Sequence, residues 1–268
     1  MRRSGLPPTP TLPLKVGGAR RKSASVSPPS LLPSPSPLAG EGRGGGNLSA
    51  APPCPLCRKP AALCVCAAIA PLATRTALLI LQHPQEQDHA LGTAAIAQRQ
   101  FANSRLVVGL SWPSLAAALA RPHADARRWG VLYLGPHTSR EPRRVLSAVD
   151  ADGAPLVDQD HLIAALEGII LLDGSWAQAK ALWWRNPWLL KLRRLVLAPP
   201  HPSLYGALRR EPREDSVSTI EAAAFCLAAI EDDPTIVERA LAPLKLLLAR
   251  HGGGAPARRP DRRRHLRR

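Results

Sequence analysis

Two groups of residues in this 268-residue sequence have the types and spacing to do chemistry. The first is Cys54-Pro55-Leu56-Cys57, followed by Cys64-Val65-Cys66. Four thiolates so close in sequence can converge on one tetrahedral Zn²⁺, and the leading C-x2-C has the separation of a zinc knuckle. Four protein ligands leave no open position, so a structural zinc is expected. Two disulfides would use the same cysteines but need an oxidising compartment. No apolar segment follows Arg2-Arg3 or Arg20-Arg21 to mark export, so the expected compartment is the cytoplasm. Arg58-Lys59 place positive charge beside the cluster. The fifth cysteine, Cys226, sits among Ala and Leu and reads as a small core residue.

The second group is Asp173-Gly174-Ser175-Trp176, with Gln178 and Lys180 just beyond. An apolar run at 168–172 ends, a carboxylate appears, a glycine allows a turn, and a helical pattern begins. That puts Asp173 at the carboxyl end of a strand, where open α/β sheets form their ligand crevices. The following helix N-terminus favours anionic or polar groups. Asp173 can serve as a proton acceptor; alternatively, Asp173 or Ser175 only caps the helix. Trp176, Lys180 and Trp183 share one helical face, where a tryptophan can stack on a base or pack on the sheet.

Three further segments carry candidate chemistry. Ser218-Thr219-Ile220-Glu221 joins two hydroxyls to a second carboxylate, and it also has the spacing of a capping box. His83 and Glu86 follow another apolar run and fall at a sheet end. Arg209, Arg210 and Arg213 can contact phosphates, or they form a solvated run partly neutralised by Glu211, Glu214 and Asp215. The stretch Trp183-Trp184-Arg185-Asn186-Pro187-Trp188 offers stacking and cation–π surface, or buried aromatic packing.

These residues need elements to hold them. Short runs rich in Val, Ile and Leu at 76–81, 106–110, 131–134, 168–172 and 195–198 fit buried strands. Helical patterns fall at 93–103, 114–120, 158–167, 175–186, 219–231 and 235–250. The alternation predicts an α/β fold with a mostly parallel, helix-covered sheet. No apolar run approaches the ~20 residues of a membrane span, so no membrane partner is expected.

The formal charge of +16 suggests a polyanion as partner, but it is unevenly placed. Residues 1–50 contribute +6, residues 250–268 contribute +7, and residues 51–249 only +3. A uniformly basic folded surface is thereby excluded. With nine Pro, eight Gly and eight Ser, residues 1–50 cannot build a periodic apolar face and are expected to be disordered. The expected organisation is this extension, a cysteine segment at 51–70, a main domain at 71–250 and an Arg-rich tail at 251–268.

Read in order, the motifs resemble the DTW-domain family, the tRNA-uridine aminocarboxypropyltransferases. The family's Asp-Gly-Thr-Trp with following Gln and Lys is matched by Asp173-Gly174-Ser175-Trp176, Gln178 and Lys180, with serine in place of threonine at 175. Its cysteine cluster matches Cys54, Cys57, Cys64 and Cys66. Its Leu-Gln-His-Pro-x-Glu and later Leu-Gly-Thr match Leu81-Gln82-His83-Pro84-Gln85-Glu86 and Leu91-Gly92-Thr93, and its Ser-Thr-x-Glu-Ala matches 218–222. The resemblance covers about 53–250 and neither tail.

The resemblance implies transfer of the 3-amino-3-carboxypropyl group of S-adenosyl-L-methionine to N3 of a uridine in tRNA, leaving methylthioadenosine. It implies a knotted SPOUT-like fold. Asp173 is then the proton acceptor, with Glu221 second. Gly174, Ser175, Trp176, Ser218, Thr219, His83 and Glu86 would bind the donor. Lys180, Arg209, Arg210 and Arg213 would bind RNA. A SPOUT-type RNA methyltransferase and a non-catalytic zinc-knuckle RNA-binding protein are the competing readings.

Overall fold

The structure, a computed structural model, describes residues 52–132, 144–206 and 216–252. The extension 1–50, the arginines at 209, 210 and 213 and the tail from 253 lie outside the described residues.

Six strands form: β1 Ala77–Gln82, β2 Ser104–Val108, β3 Trp129–Leu132, β4 Leu146–Val149, β5 Gly168–Asp173 and β6 Arg193–Leu197. Among the described residues they make one sheet in the order β2-β1-β5-β3-β6-β4. All neighbouring pairs are parallel except β4, which runs antiparallel to β6 at the edge. The expected mostly parallel sheet is therefore present.

The sheet divides two cores. Every residue of β1 is buried, the mark of a parallel strand covered on both faces. Side chains alternate along the pleat. Leu78 and Ile80 enter a core with α1 (Ala94–Gln100), α3 (Gln159–Ala164), α5 (Thr219–Glu231) and α6 (Thr235–Gly252). Leu79 and Leu81 enter the opposite core, with α2 (Leu115–Leu119), Trp183 of α4 (Trp176–Arg185) and the 3-10 turn Pro187–Lys191. At the start of β5 a Cβ on Gly168 would lie 2.5 Å from the Trp129 ring, so the indole lies directly over a glycine.

The cysteine segment shares the first core. Cys57 and Val65 are buried in it, and Leu63, Cys64, Cys66 and Ile69 pack against it. Arg250 of α6 donates to the Cys64 carbonyl. Helix α6 runs on to Gly252, taking in the first two residues of the expected tail.

Several elements differ from expectation. Strand β4 was not anticipated: Leu146-Ser147-Ala148-Val149 is short and holds only two large apolar residues. Strands β2 and β6 begin earlier than their apolar runs, on Ser104-Arg105 and Arg193-Arg194. Backbone pairing sets those starts, Ser104 opposite Leu78 and Arg193 opposite Gly130. Helix α1 stops at Gln100 because Phe101 turns out to bridge Leu72.

Candidate active site and metal centre

The carboxyl ends of β1 and β5 lie side by side, with Gln82 paired to Asp173. Asp173 is thus the last residue of an inner strand, at the edge where crevices form. Two donors fix its carboxylate. Gln82 Nε2 donates to Oδ2 at 2.8 Å, and the Thr219 hydroxyl donates to Oδ1. Thr219 opens α5, so that helix delivers a hydroxyl to the end of β5 from the far side of the chain.

The loops around Asp173 are tied to it and to one another. The His83 N–H donates to the Asp173 carbonyl at 2.9 Å, and His83 Nδ1 accepts from the Gln85 N–H at 3.3 Å. Glu86 closes the 3-10 turn Pro84–Glu86 that follows. Gly174 is held by close approach: a Cβ there would meet Gln178 Cβ at 2.9 Å and His83 Cβ at 3.4 Å. Ser175, not Asp173, caps α4. It shares a reciprocal capping box with Gln178, whose side chain also reaches Gln85 at 3.2 Å. On α4, Lys180 Nζ lies 5.4 Å from the centre of the Trp176 ring, a cation–π contact on the face expected from spacing.

Ser218 and Glu221 turn inward. Ser218 caps α5 in a second reciprocal box, and both residues are buried. The Glu221 oxygens accept from the Ser203 hydroxyl, the Leu204 N–H, the Ser218 N–H and the Ser218 hydroxyl, all within 2.6–2.8 Å. That carboxylate locks the Ser203–Leu204 loop to the start of α5 and is saturated by doing so. Among the expected site residues the structure therefore gathers Asp173, Gly174, His83 and Thr219 at one edge, with Glu86, Ser175 and Trp176 on the adjoining turns. Ser218 and Glu221 stand behind them as framework.

Of the tryptophan-rich stretch, Trp188 is buried, with its indole N–H donating to the Trp112 carbonyl at 2.9 Å. Trp184 is 77% exposed. A cleft of about 440 Å³, lined by Arg75, His123, Arg128 and Glu167 among others, opens at the amino-terminal edge of the strands, away from Asp173.

The four clustered cysteines meet as their spacing predicts. None is in a disulfide, and the four Sγ atoms lie within 4.8 Å of one another. Cys54 and Cys66 sulfurs are 3.8 Å apart, Cys57 and Cys64 sulfurs 3.7 Å. A tetrahedron with Zn–S of about 2.3 Å has edges of about 3.8 Å. The Cys57 and Leu56 N–H groups bond to the Cys54 sulfur and pull its thiol down to about 6. Burial pushes Cys57 and Cys66 up. Crowded thiols resist ionising together, and a divalent cation at their centre removes that penalty. The residues present fit a metal ion.

Two residues important to this geometry were not singled out by sequence. Gln82 was read only as part of a motif; its signal is a polar residue ending an otherwise apolar strand. Lys59 was read only as charge beside the cysteines. It is 3% exposed and donates to the His89 carbonyl at 2.8 Å. Burial pushes it down to about 8, while the nearby Cys57 and Asp173 draw it back up.

Fold and site together define an α/β protein with an oriented carboxylate at the carboxyl end of an inner parallel strand, backed by a four-cysteine centre. The sequence matches the DTW domain over residues 51–251, and the chain belongs to that family. It is 34% identical over 210 residues to tRNA-uridine aminocarboxypropyltransferase 2 of Drosophila melanogaster, covering 75% of this chain and 77% of that one. It is 27% identical to the Macaca fascicularis protein of the same name, of which the match spans 62%. It is 26% identical to tRNA-uridine aminocarboxypropyltransferase A of Arabidopsis thaliana, over 76% of that protein. No solved structure matches the chain significantly. Among the described residues no helix is long and apolar enough to cross a membrane.

Proposed function

We propose that this protein is a tRNA-uridine aminocarboxypropyltransferase that takes the 3-amino-3-carboxypropyl group from S-adenosyl-L-methionine and places it on N3 of a uridine. One observation carries the reading: Asp173, the family's eponymous aspartate, is clamped by Gln82 and Thr219 at a strand end where a uracil edge can approach. The names of its relatives supply the reaction class.

The chemistry asks little of the leaving group, because the sulfonium already supplies one. It asks for a deprotonated N3 and for alignment. Asp173 accepts the N3 proton. N3 then attacks the γ-carbon of the aminocarboxypropyl arm. The carbon–sulfur bond breaks, its electron pair passes to sulfur, and neutral methylthioadenosine leaves. The proton on Asp173 returns to solvent. Holding carbon and nitrogen in line supplies much of the rate. His83, Glu86, Gly174 and Trp176, with the α4 and α5 N-termini, surround the donor. The Ser175 hydroxyl and the Ser218–Glu221 pair hold those termini in place. Asp173 is favoured over Glu221 as proton acceptor because Glu221 is buried and fully bonded.

The four cysteines hold a structural zinc, a reading supported by the tetrahedral sulfur spacing and the soft donor set. The tRNA backbone meets Lys180, the segment with Arg209, Arg210 and Arg213, and the basic ends. The fold is SPOUT-like: β5 inserts between β1 and β3, both earlier in the chain, an interleaving that suits a threaded sheet.

The test is incubation of purified protein with S-adenosylmethionine and unmodified tRNA, followed by nucleoside mass spectrometry. An aminocarboxypropyl uridine is expected, and Asp173→Asn is expected to abolish it while keeping donor affinity. A methylated nucleoside overturns the assignment, and an active Asn variant overturns the role of Asp173 as proton acceptor.

A further inference from the structure

Helix α4 sends two neighbouring tryptophans to different places, because successive residues point about 100° apart round a helix. Trp183 packs against the second core, on the side where Ala179 and Leu182 are buried. Trp184 falls on the outer stripe with Ala177, Lys180 and Ala181 and is 77% exposed. Its ring therefore adds little to the core. The helix and the turn after it also carry Lys180, Arg185 and Lys191 and no Asp or Glu. Residues 174–191 are thus +3, as much as the whole of residues 51–249, and the rest of that body sums to zero. Among the described residues none of these three cations is in an ion pair.

Both ends of α4 are fastened to the edge that holds Asp173. The first turn follows Asp173-Gly174 directly and is capped by Ser175. The last turn is held by Asn186, a fully buried amide that accepts the Trp112 N–H at 2.8 Å and donates to the Leu110 carbonyl at 3.1 Å. The Ser111 hydroxyl donates to the Arg185 carbonyl at 3.0 Å. Just before them, the Gly109 N–H donates to the carbonyl of Gln82, the residue whose side chain bonds Asp173. Val108 and Leu110, at and just past the end of β2, are exposed apolar residues as well. Trp184 is thus a fixed aromatic face on a cationic and partly apolar surface continuous with the site.

Cations that follow a backbone and exposed aromatic rings that take bases are the means by which proteins hold single-stranded nucleic acid. N3 of a uridine lies on its pairing edge, so the target base must be unpaired for transfer, and unpaired neighbours can be splayed onto an aromatic ring. From Trp176 to Trp184 the helix rises about 12 Å. A stacked strand rises about 3.4 Å per nucleotide, so this distance spans about three or four nucleotides. We propose that Trp184 is a stacking platform for an unpaired base close in sequence to the target uridine, with Lys180 and Arg185 on the phosphates between them. The proposal rests on the reaction assigned above and deepens it: the substrate is recognised as a loop and not as a duplex.

Fluorescence anisotropy on the full chain measures binding to unmodified tRNA and to a fully paired RNA duplex across a range of salt, beside thermal midpoints and light scattering. Trp184→Ala is expected to weaken tRNA binding about five- to a hundredfold, leave the duplex within about twofold, and keep the slope of log K against log salt. Arg185→Ala is expected to weaken both RNAs and reduce that slope by about one. Trp184→Phe keeps a ring and is expected to retain most of the tRNA affinity. In turnover, Trp184→Ala should raise KM for tRNA and leave kcat within about twofold. An Ala variant that binds tRNA like wild type, loses tRNA and duplex alike, or melts more than about 2 °C lower overturns the proposal, the last because the ring then serves packing. A dimeric wild type that becomes monomeric in Trp184→Ala gives the surface to a second copy and overturns it too. Wild type that shows the expected binding pattern but forms no aminocarboxypropyl uridine overturns the assigned reaction and not the platform. Wild type that binds no RNA overturns both.

Discussion

Asp173 acts through the company it keeps. Gln82 reaches it across the β1–β5 pair and Thr219 reaches it from α5, so three separate parts of the chain fix one carboxylate. A hydrogen bond to a charged group contributes about 1.5–3 kcal/mol. Thr219→Val or Gln82→Leu should therefore lower kcat about ten- to a hundredfold by letting the carboxylate swing. The KM for tRNA should hardly move, and Thr219→Ser should recover most of the rate. Equal activity in Thr219→Val and wild type would remove Thr219 from the positioning role. Asp173 was legible in the sequence because an apolar run stops on it. Gln82 was not, because its partner depends on which strands lie side by side. Ser175 as a cap and the capping box of Ser218 were legible as patterns, yet the sequence left open whether those hydroxyls serve the helix or a ligand. In the structure the Ser218 hydroxyl bonds Glu221 and caps α5.

The elements were read best where their ends are written in side chains. Helix α5 falls at 219–231 as its pattern predicts, opened by Ser218 and Glu221; in the structure Asp232 closes it in a left-handed conformation. Strand edges were read less well, since backbone pairing and not side-chain type decides where β2 and β6 begin. Glu231, the last residue of α5, ties that helix to the start of β1. It accepts the Thr76 N–H at 2.8 Å and the Arg75 N–H at 3.3 Å, and lies 3.8 Å from the Arg75 guanidinium. Burial pushes its carboxyl up, but the bonds from Thr76 and Arg75 outweigh that and hold it below its ordinary value. A depressed carboxyl stabilises the fold above the unfolded value, about 4.3, and the gain is lost as pH falls through the folded value. Urea midpoints of wild type and Glu231→Gln should differ at pH 6 and converge as the pH falls through the lowered folded-state value. A difference unchanged across that range would mean that the α5–β1 joint gains nothing from the charge.

At the scale of the whole molecule, the charge and the metal segment lead to different conclusions. The excess of +16 shrinks to +3 over residues 51–249, which excludes a uniformly basic surface there. The cysteine segment could be read from sequence as a separate knuckle, since nothing in its spacing says what it packs on. The structure instead embeds it: Cys57 and Val65 belong to the same core as α1, α5 and α6, and Arg250 of the last helix grips the Cys64 carbonyl. Its other side is bonded to the loop that follows β1 through Arg58 and Lys59. A ligand that binds only the folded state stabilises it by mass action. Metal removal must then act on the whole body and not on an appendage. Chelation, or Cys64→Ser, should shift one cooperative thermal transition downward, by about 2–4 °C for each kcal/mol lost in a domain of this size. Near-ultraviolet circular dichroism and differential scanning calorimetry should report the same midpoint. Loss of a small separate transition, with the main one unmoved, would show that the segment folds as a knuckle on its own.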